Sequence, residues 1–161
     1  MLQLFDACDL PLRRYVMSLG LPACAAEDVA QDAFLALFQH LRLGRDRSNL
    51  RGWLFRVAHN LALRHRRSVH HRLMVSGLAD TVTERAIEPG ANPEEALSHR
   101  QRWQRWRLVV EAMPERDRRC LALRAEGLRY RDIAGVIGVS LGAVAMSMSR
   151  AIARLARADR G

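Results

Sequence analysis

The stretch YRDIAGVIGVSLGAVAMSMSR, residues 130–150, decides the fold of the second half of this chain. Ile133, Ala134 and Ile137 form an apolar stripe on a short predicted helix, and Gly138 interrupts it. Ser140 is placed to cap a second helix. The pattern therefore predicts a helix-turn-helix.

Three positions in this stretch have the side-chain sizes that a helix-turn-helix needs. Ala134 is small enough for the two helices to approach each other, Gly138 permits a positive φ in the turn, and Val144 anchors the second helix to the core. On that helix the spacing predicts that Val144, Met148, Ile152 and Leu155 are buried. Five other residues are predicted to point outward as candidate groove readers: Ala143, Met146, Ser147, Arg150 and Arg154.

A plain helical hairpin would show the same apolar stripe, so the charge around the motif matters. The chain has 161 residues and a formal net charge of +9, from 26 basic and 17 acidic residues. Every basic residue is Arg, which suits phosphate because the guanidinium donates paired hydrogen bonds, although a GC-rich genome would also favour Arg. The excess of positive charge favours a polyanionic partner, either nucleic acid or an anionic membrane surface.

The charge is divided into blocks along the chain. Residues 45–72 carry +7 and residues 99–161 carry +8, whereas residues 1–44 carry −2 and residues 73–98 carry −4. The last, acidic stretch contains Pro89, Gly90 and Pro93, which break regular structure, so we predict a linker over residues 75–96. Helical periodicity on both sides, and no strand-like alternation of useful length, predict an all-α protein with two small helical domains.

A basic helix is predicted before the linker, over residues 50–67. Arg56, Asn60 and Arg67 share one of its faces, with Arg64 beside them, and Asn60 can both donate and accept hydrogen bonds as a base-reading residue would. The preceding loop holds Arg45, Arg47 and Ser48, a polar segment that could receive an unpaired base. The alternative is a solvated Arg-rich helix, and Trp53 on it is more often a packing residue than a stacking one.

The cysteines and histidines predict neither a disulfide nor a metal site. Cys8, Cys24 and Cys120 are odd in number and without a CxxC pair, which argues against a disulfide scaffold or a zinc module and fits a reduced cytoplasm. No cofactor or metal is predicted, since the histidines lack acidic or Cys ligands at matching spacing. No apolar run approaches a bilayer span and the N-terminus has no secretory pattern, so no membrane insertion is expected.

Three stretches together resemble a known family. They are AEDVAQDAFLALFQHL (26–41), NLRGWLFRVAHNLAL (49–63) and MPERDRRCLALRAEGLRYRDIAGVIGVS (113–140). In this order they are similar to regions two and four of the extracytoplasmic-function sigma factors of the sigma-70 superfamily. The resemblance implies region two over residues 1–74 and region four over residues 97–161, with the linker between them.

The resemblance also implies partners and roles. The chain would bind core RNA polymerase, at the clamp helices of the beta-prime subunit through Asp28, Gln31 and Asp32 and at the flap of the beta subunit, and an anti-sigma factor would regulate it. Where the family commonly has Glu, this chain has the shorter Asp32. The linker acids would mimic nucleic acid near the RNA exit path; they are Asp80, Glu84, Glu88, Glu94 and Glu95.

Promoter recognition is implied for both halves. Region two would melt the minus-ten element and hold a flipped base, through the following residues: Arg45, Arg47, Ser48, Trp53, Arg56, Asn60, Arg64 and Arg67. Region four would place its recognition helix at the minus-thirty-five element, with the following residues at the DNA: Arg129, Arg131, Ser140, Ala143, Met146, Ser147, Arg150 and Arg154.

The recognition helix departs from the family pattern. The family usually has a Thr, a Lys and an Arg near the start of this helix, whereas residues 141–149 here carry no charge. Base readout needs hydrogen-bond donors, so we expect phosphate contacts from Arg129, Arg131, Arg150 and Arg154, with Ala143 or Met146 against thymine methyls. Replacing Arg150 by Ala would then weaken binding to all sequences alike.

Two other functions compete with this interpretation. A free-standing repressor or activator would use the helix-turn-helix alone, as a dimer on a palindrome, and would leave the face around Asp28 and the basic helix without a role. An enzyme is the third class, but the chain has no recognisable nucleophile–base arrangement, phosphate-cradling Gly loop or carboxylate pair. We therefore predict a non-enzymatic, cytoplasmic transcription factor.

Overall fold

A computed structural model describes residues 2–76 and 93–160 of the chain. These residues form seven helices: α1 Leu2–Ser18, α2 Ala23–Arg42, α3 Leu50–Ser76, α4 Pro93–Glu111, α5 Glu115–Ala125, α6 Tyr130–Ile137 and α7 Leu141–Arg160. No strand occurs among them. The predicted all-α class is confirmed.

The first three helices form a bundle around an apolar core. Leu12 and Tyr15 of α1 are buried against Leu54 and Phe55 of α3. The buried face of α2 is made mostly of alanines, including Ala26, Ala30 and Ala33, and these small side chains let α2 lie close to its neighbours. α1 and α2 are joined by a tight turn in which Gly20 has a φ of 93°, a value that glycine adopts without strain.

The last four helices form a second bundle, in which α7 packs against α4, α5 and α6. Its core contains Cys120 and Leu123 of α5, Ile133 of α6, and Val144 and Met148 of α7, all buried. Since α6 and α7 each contribute an apolar face to this core, the helix-turn-helix is held as part of a folded unit.

The helices extend further than the periodicity predicted. α3 continues past residue 67 to Ser76, and α4 begins at Pro93, so both ends of the predicted linker 75–96 are helical. Pro93 can open a helix because the first-turn N–H that it lacks has no intrahelical partner there. Asp80, Glu84 and Glu88 lie outside the described residues, while Glu94 and Glu95 belong to α4.

The two bundles are in contact. α6 packs along α3, α1 touches α5, and the buried apolar residues of both bundles form one continuous cluster. Hydrogen bonds between described residues also cross from the first bundle to the second: Arg14 and Arg51 donate to Glu126, Arg66 donates to Glu115, and the Asn49 amide donates to Asp132.

No single described helix is long and apolar enough to cross a membrane. The helices Tyr130–Ile137 and Leu141–Asp159 meet at a bend of 105°. Taken together they would be long and apolar enough, by length and composition only.

Candidate nucleic-acid interface

The helix α3 presents a basic face to solvent. Arg56, Asn60, Arg64 and Arg67 are all exposed, as their four- and seven-residue spacing predicted. None of the four side chains is hydrogen bonded or ion-paired to another residue within 2–76 or 93–160. Because these donors have no partner among the described residues, they are available to an external acceptor such as phosphate or a base edge.

The loop before α3 is held in a defined shape. The Nε2 atom of His40, a buried residue of α2, lies 2.8 Å from the backbone oxygen of Asp46. The backbone N–H and the hydroxyl of Ser48 both donate to the Asp46 carboxylate, at 3.0 and 2.7 Å, and these hydrogen bonds lower the pKa of Asp46. Asn49 then caps α3, since its Oδ1 accepts the N–H of Gly52 at 3.0 Å.

Three side chains of this loop are predicted to contact a base, and two of them carry exposed charges. Arg45 and Arg47 are exposed, and Arg47 has one long hydrogen bond of 3.5 Å to the backbone oxygen of Leu41. The Ser48 hydroxyl instead donates to Asp46. Ser48 therefore shapes the loop in this conformation.

Trp53 lies at the edge of the core. Its ring is partly buried and lies 4.4 Å, centroid to centroid, from the ring of His40. Trp53 thus packs on the residue that orders the loop, as the packing alternative predicted.

The predicted polymerase-docking side chains share one face of α2. Asp28, Gln31 and Asp32 are all exposed. Leu35 and Phe38 continue the same face and are 57% and 46% exposed, and neither was predicted to belong to it. The spacing could have predicted this position, because Leu35 follows Asp28 by seven residues and Asp32 by three. The apolar periodicity of α2 indicates only the buried side of the helix.

The turn of the helix-turn-helix has the predicted geometry. Gly138 ends α6 with a φ of 76° and a ψ of 40°, a left-handed conformation. The Oγ atom of Ser140 accepts the N–H of Ala143 at 3.1 Å and so caps α7. The predicted roles of Gly138 and Ser140 in the turn are confirmed.

The buried side of α7 differs from the prediction. Val144 and Met148 are buried as expected, but Ile152 is 53% exposed and Ala151 is fully buried in its place. At about 100° per residue, position 151 lies roughly 20° from Val144 around the helix, and position 152 lies roughly 80° away. Each four-residue step advances about 40° around the helix, so two such steps from Val144 carry Ile152 off the buried face, and its predicted burial is wrong.

Two predicted groove readers on α7 are turned inward. Ser147 is completely buried, so its predicted outward orientation is wrong. Arg150 donates from Nε and Nη2 to the two carboxylate oxygens of Asp117, at 3.0 and 2.7 Å, and from Nη2 to the Ser147 hydroxyl at 3.2 Å. Asp117 is completely buried, and these hydrogen bonds hold its pKa below the usual range. The Arg150 guanidinium therefore neutralises a buried acid of α5, and its predicted role as a free phosphate contact is not supported by this geometry.

The other predicted minus-thirty-five residues remain at the surface. Arg129 and Arg131 are exposed at the start of α6, and Met146 is 60% exposed on α7. Ala143 is half-buried, and Arg154 donates to the backbone oxygen of Ala112 at 3.3 Å. The exposed face of the recognition helix is thus neutral, with cations beside it on α6.

Comparison with known proteins identifies the same two regions. Residues 4–72 match the family model for sigma-70 region 2, and residues 103–155 match the one for sigma-70 region 4. The chain is 30% identical over 145 residues to the ECF RNA polymerase sigma-E factor of Escherichia coli (strain K12), which covers 86% of this chain and 73% of that protein.

Two further similarities cover most of this chain. It is 29% identical over 150 residues to a protein of Xanthomonas campestris described as "Probable RNA polymerase sigma factor RfaY", covering 92% of this chain but 38% of that protein. Its fold is similar to that of the sigma factor RpoE in complex with the anti-sigma factor NepR from Bartonella quintana, with a TM-score of 0.72 and 22% identity over 98% of this chain and 94% of that one. With both regions present in order, the chain belongs to the extracytoplasmic-function group of the sigma-70 family of RNA polymerase sigma factors.

Proposed function

We propose that the chain binds core RNA polymerase and directs it to promoters, with residues 1–74 melting the minus-ten element and residues 97–161 docking at the minus-thirty-five element. The observation that carries this proposal is the unpaired basic face of α3, in a chain of sigma-70 family membership. Four donors without a partner in the described part of the chain, next to a loop of fixed shape, suit a strand whose bases have left the stack.

Docking on the polymerase is assigned to α2. Asp28, Gln31 and Asp32 provide acceptors and an amide, and Leu35 and Phe38 add an apolar surface on the same side. A charged face with an exposed apolar centre is typical of a protein interface. We propose that this face of α2 binds the clamp helices of the beta-prime subunit. We propose that the second half of the chain binds the flap of the beta subunit.

Recognition at minus thirty-five is assigned to α6 and α7. Arg129 and Arg131 provide phosphate contacts, and Met146 and Ala143 provide apolar contact with the groove.

The mechanism needs no catalytic step by this chain, so we propose a binding subunit and not an enzyme. We also propose an anti-sigma partner, because one solved structure of similar fold is the sigma factor RpoE in complex with the anti-sigma factor NepR. A cytoplasmic site of action follows from the proposed binding to core RNA polymerase.

The decisive experiment is run-off transcription with purified core polymerase on a genomic promoter library that includes the promoter of the protein's own operon. The chain should copurify with core polymerase and start transcripts at discrete positions. The triple variant Asp28→Ala, Gln31→Ala, Asp32→Ala should lose copurification while keeping its helical content. Transcription from no template, or a wild-type chain that binds a palindrome tightly without polymerase, would refute the proposal.

A further inference from the structure

His40, in the last turn of α2, holds the loop before α3 at two points. The Nε2 atom of its ring lies 2.8 Å from the backbone oxygen of Asp46, and its own backbone oxygen accepts the N–H of Arg45 at 3.4 Å. His40 is 9% exposed, and its ring lies 4.4 Å, centroid to centroid, from the ring of Trp53. A single residue thus joins the end of α2 to two successive residues of the loop.

The hydrogen bond to Asp46 fixes the tautomer of His40. A backbone oxygen can only accept, so the hydrogen of a neutral imidazole must lie on Nε2. The Nδ1 atom is buried and has no hydrogen-bond partner within residues 2–76 and 93–160. An apolar side chain would fill the same space without the cost of desolvating a polar ring. Since the one hydrogen bond of this ring goes to the loop, the loop accounts for an imidazole at this position.

Asp46 extends this restraint along the loop. Its backbone oxygen is held by His40, and its carboxylate accepts the backbone N–H and the hydroxyl of Ser48 at 3.0 and 2.7 Å. Arg45 and Arg47 are the two neighbours of Asp46 in the chain, and both are exposed. Because the backbone around Asp46 is held on both sides, the two guanidinium groups project from fixed positions.

We infer that His40 is a positioning residue for promoter melting, which holds the loop of residues 43–49 so that Arg45 and Arg47 are in place before an unpaired base arrives. The inference rests on the function proposed above and adds to it a residue that is too buried to touch DNA itself. A loop that is ordered in advance loses less conformational entropy on binding, so it holds the base more tightly.

Two substitutions separate the hydrogen bond of His40 from its packing. His40→Phe keeps an aromatic ring against Trp53 but has no donor for the backbone oxygen of Asp46. His40→Gln supplies an N–H donor on a side chain of similar reach and should restore most of the function. His59→Phe is the matched control, because it removes a second buried imidazole of the same bundle, whose hydrogen bond goes to Tyr15 of α1.

The functional test is run-off transcription with core polymerase on templates whose non-template strand lacks one base at a time across the minus-ten element. The wild-type chain should lose transcription most strongly when the captured base is missing. On the intact template His40→Phe should transcribe roughly tenfold less, about the worth of one hydrogen bond. Removing the captured base should then cost this variant little more, whereas His40→Gln and His59→Phe should keep the wild-type pattern.

Hydrogen exchange in the free, full-length chain tests the loop without polymerase. The amides of Arg45 and Ser48 donate the hydrogen bonds that define the loop, to His40 and Asp46 respectively. Both amides should exchange faster in His40→Phe than in the wild-type protein, and at the wild-type rate in His59→Phe.

Equal losses from the missing base in the wild-type chain and in His40→Phe would overturn the inference. So would loop amides that exchange alike in these two proteins. Either result leaves the proposed function standing, because the wild-type chain still transcribes. A wild-type chain that transcribes without any sensitive position would overturn both base capture and the role of His40. Failure of the wild-type chain to transcribe would refute the proposed function, and hydrogen exchange would still decide whether His40 orders the loop.

Discussion

The two basic helices of this protein use their arginines differently. On α3, Arg56, Arg64 and Arg67 point into solvent with no internal partner among the described residues. On α7, Arg150 is fixed on the buried Asp117 and Arg154 on a backbone oxygen. The same residue type thus forms an exposed face without partners among the described residues in the first bundle, and neutralises a buried acid in the second. Arginine content alone does not locate a nucleic-acid interface.

The largest expected effect comes from the free face of α3. Arg56→Ala with Asn60→Ala should lower run-off transcription roughly 100-fold, because each contact to a base or phosphate is worth about 1–3 kcal/mol. The thermal unfolding midpoint should stay unchanged, since both side chains are exposed. Gln101→Ala with Arg105→Ala, two exposed positions on α4, is the control and should transcribe normally. Equal losses in both double variants would mean that α3 has no special role.

Local features were predictable from the sequence and tertiary pairings were not. The turn at Gly138 and the cap at Ser140 follow from residue types within a few positions of each other, and both were predicted. Asp117 and Arg150 are 33 residues apart, and nothing in either neighbourhood marks the pair. The contact of Asn49 with Asp132 spans 83 residues and was missed for the same reason.

The choice of Ile152 over Ala151 has a different cause. Repeated four-residue spacing placed Ile152 on the buried side of α7, but the packed interface of α7 with its neighbours accommodates the methyl group of Ala151 instead. Volume at a helix contact is set by the partner helices, which the local sequence does not contain.

The second effect concerns the internal pair on α7. Asp117→Asn should lower the free energy of unfolding by about 2 kcal/mol, because it weakens two charge-assisted hydrogen bonds to Arg150 at a buried site. Urea unfolding followed by circular dichroism measures this. Glu111→Gln, which removes an exposed partner of Arg107, is the control and should change stability little. An Asp117→Asn variant as stable as the wild-type protein would contradict the assignment of Arg150 to neutralising Asp117.

The third effect is a pH dependence at the contact of the bundles. Burial, with Arg119 of α5 nearby, lowers the pKa of His59 to about 4, while Glu115 opposes the shift; the ring nitrogen Nδ1 lies 2.7 Å from the Tyr15 hydroxyl. The unfolded chain binds a proton at His59 below about pH 6.5 and the folded chain does not until about pH 4.

Stability should therefore fall as the pH drops through this window, by about 1–2 kcal/mol between pH 7 and pH 5. The depressed pKa of Asp117 adds a loss only at lower pH, where that carboxylate takes up its proton. His59→Gln keeps a hydrogen-bonding group opposite Tyr15 and should flatten the slope above pH 5. An unchanged slope in this variant would assign the pH dependence to another group.

The smallest effect tests the neutral recognition helix. Met146→Arg places a cation on the exposed face of α7, and Ile152→Arg places the same charge about 120° further around the same helix. If α7 lies in the groove through Met146, only Met146→Arg should tighten promoter binding a few-fold and steepen the dependence of log K on log salt by about one unit. Equal gains in both variants would indicate general attraction to DNA. Since both changes add one charge to one helix, their difference measures the orientation of α7 and not the net charge of the protein.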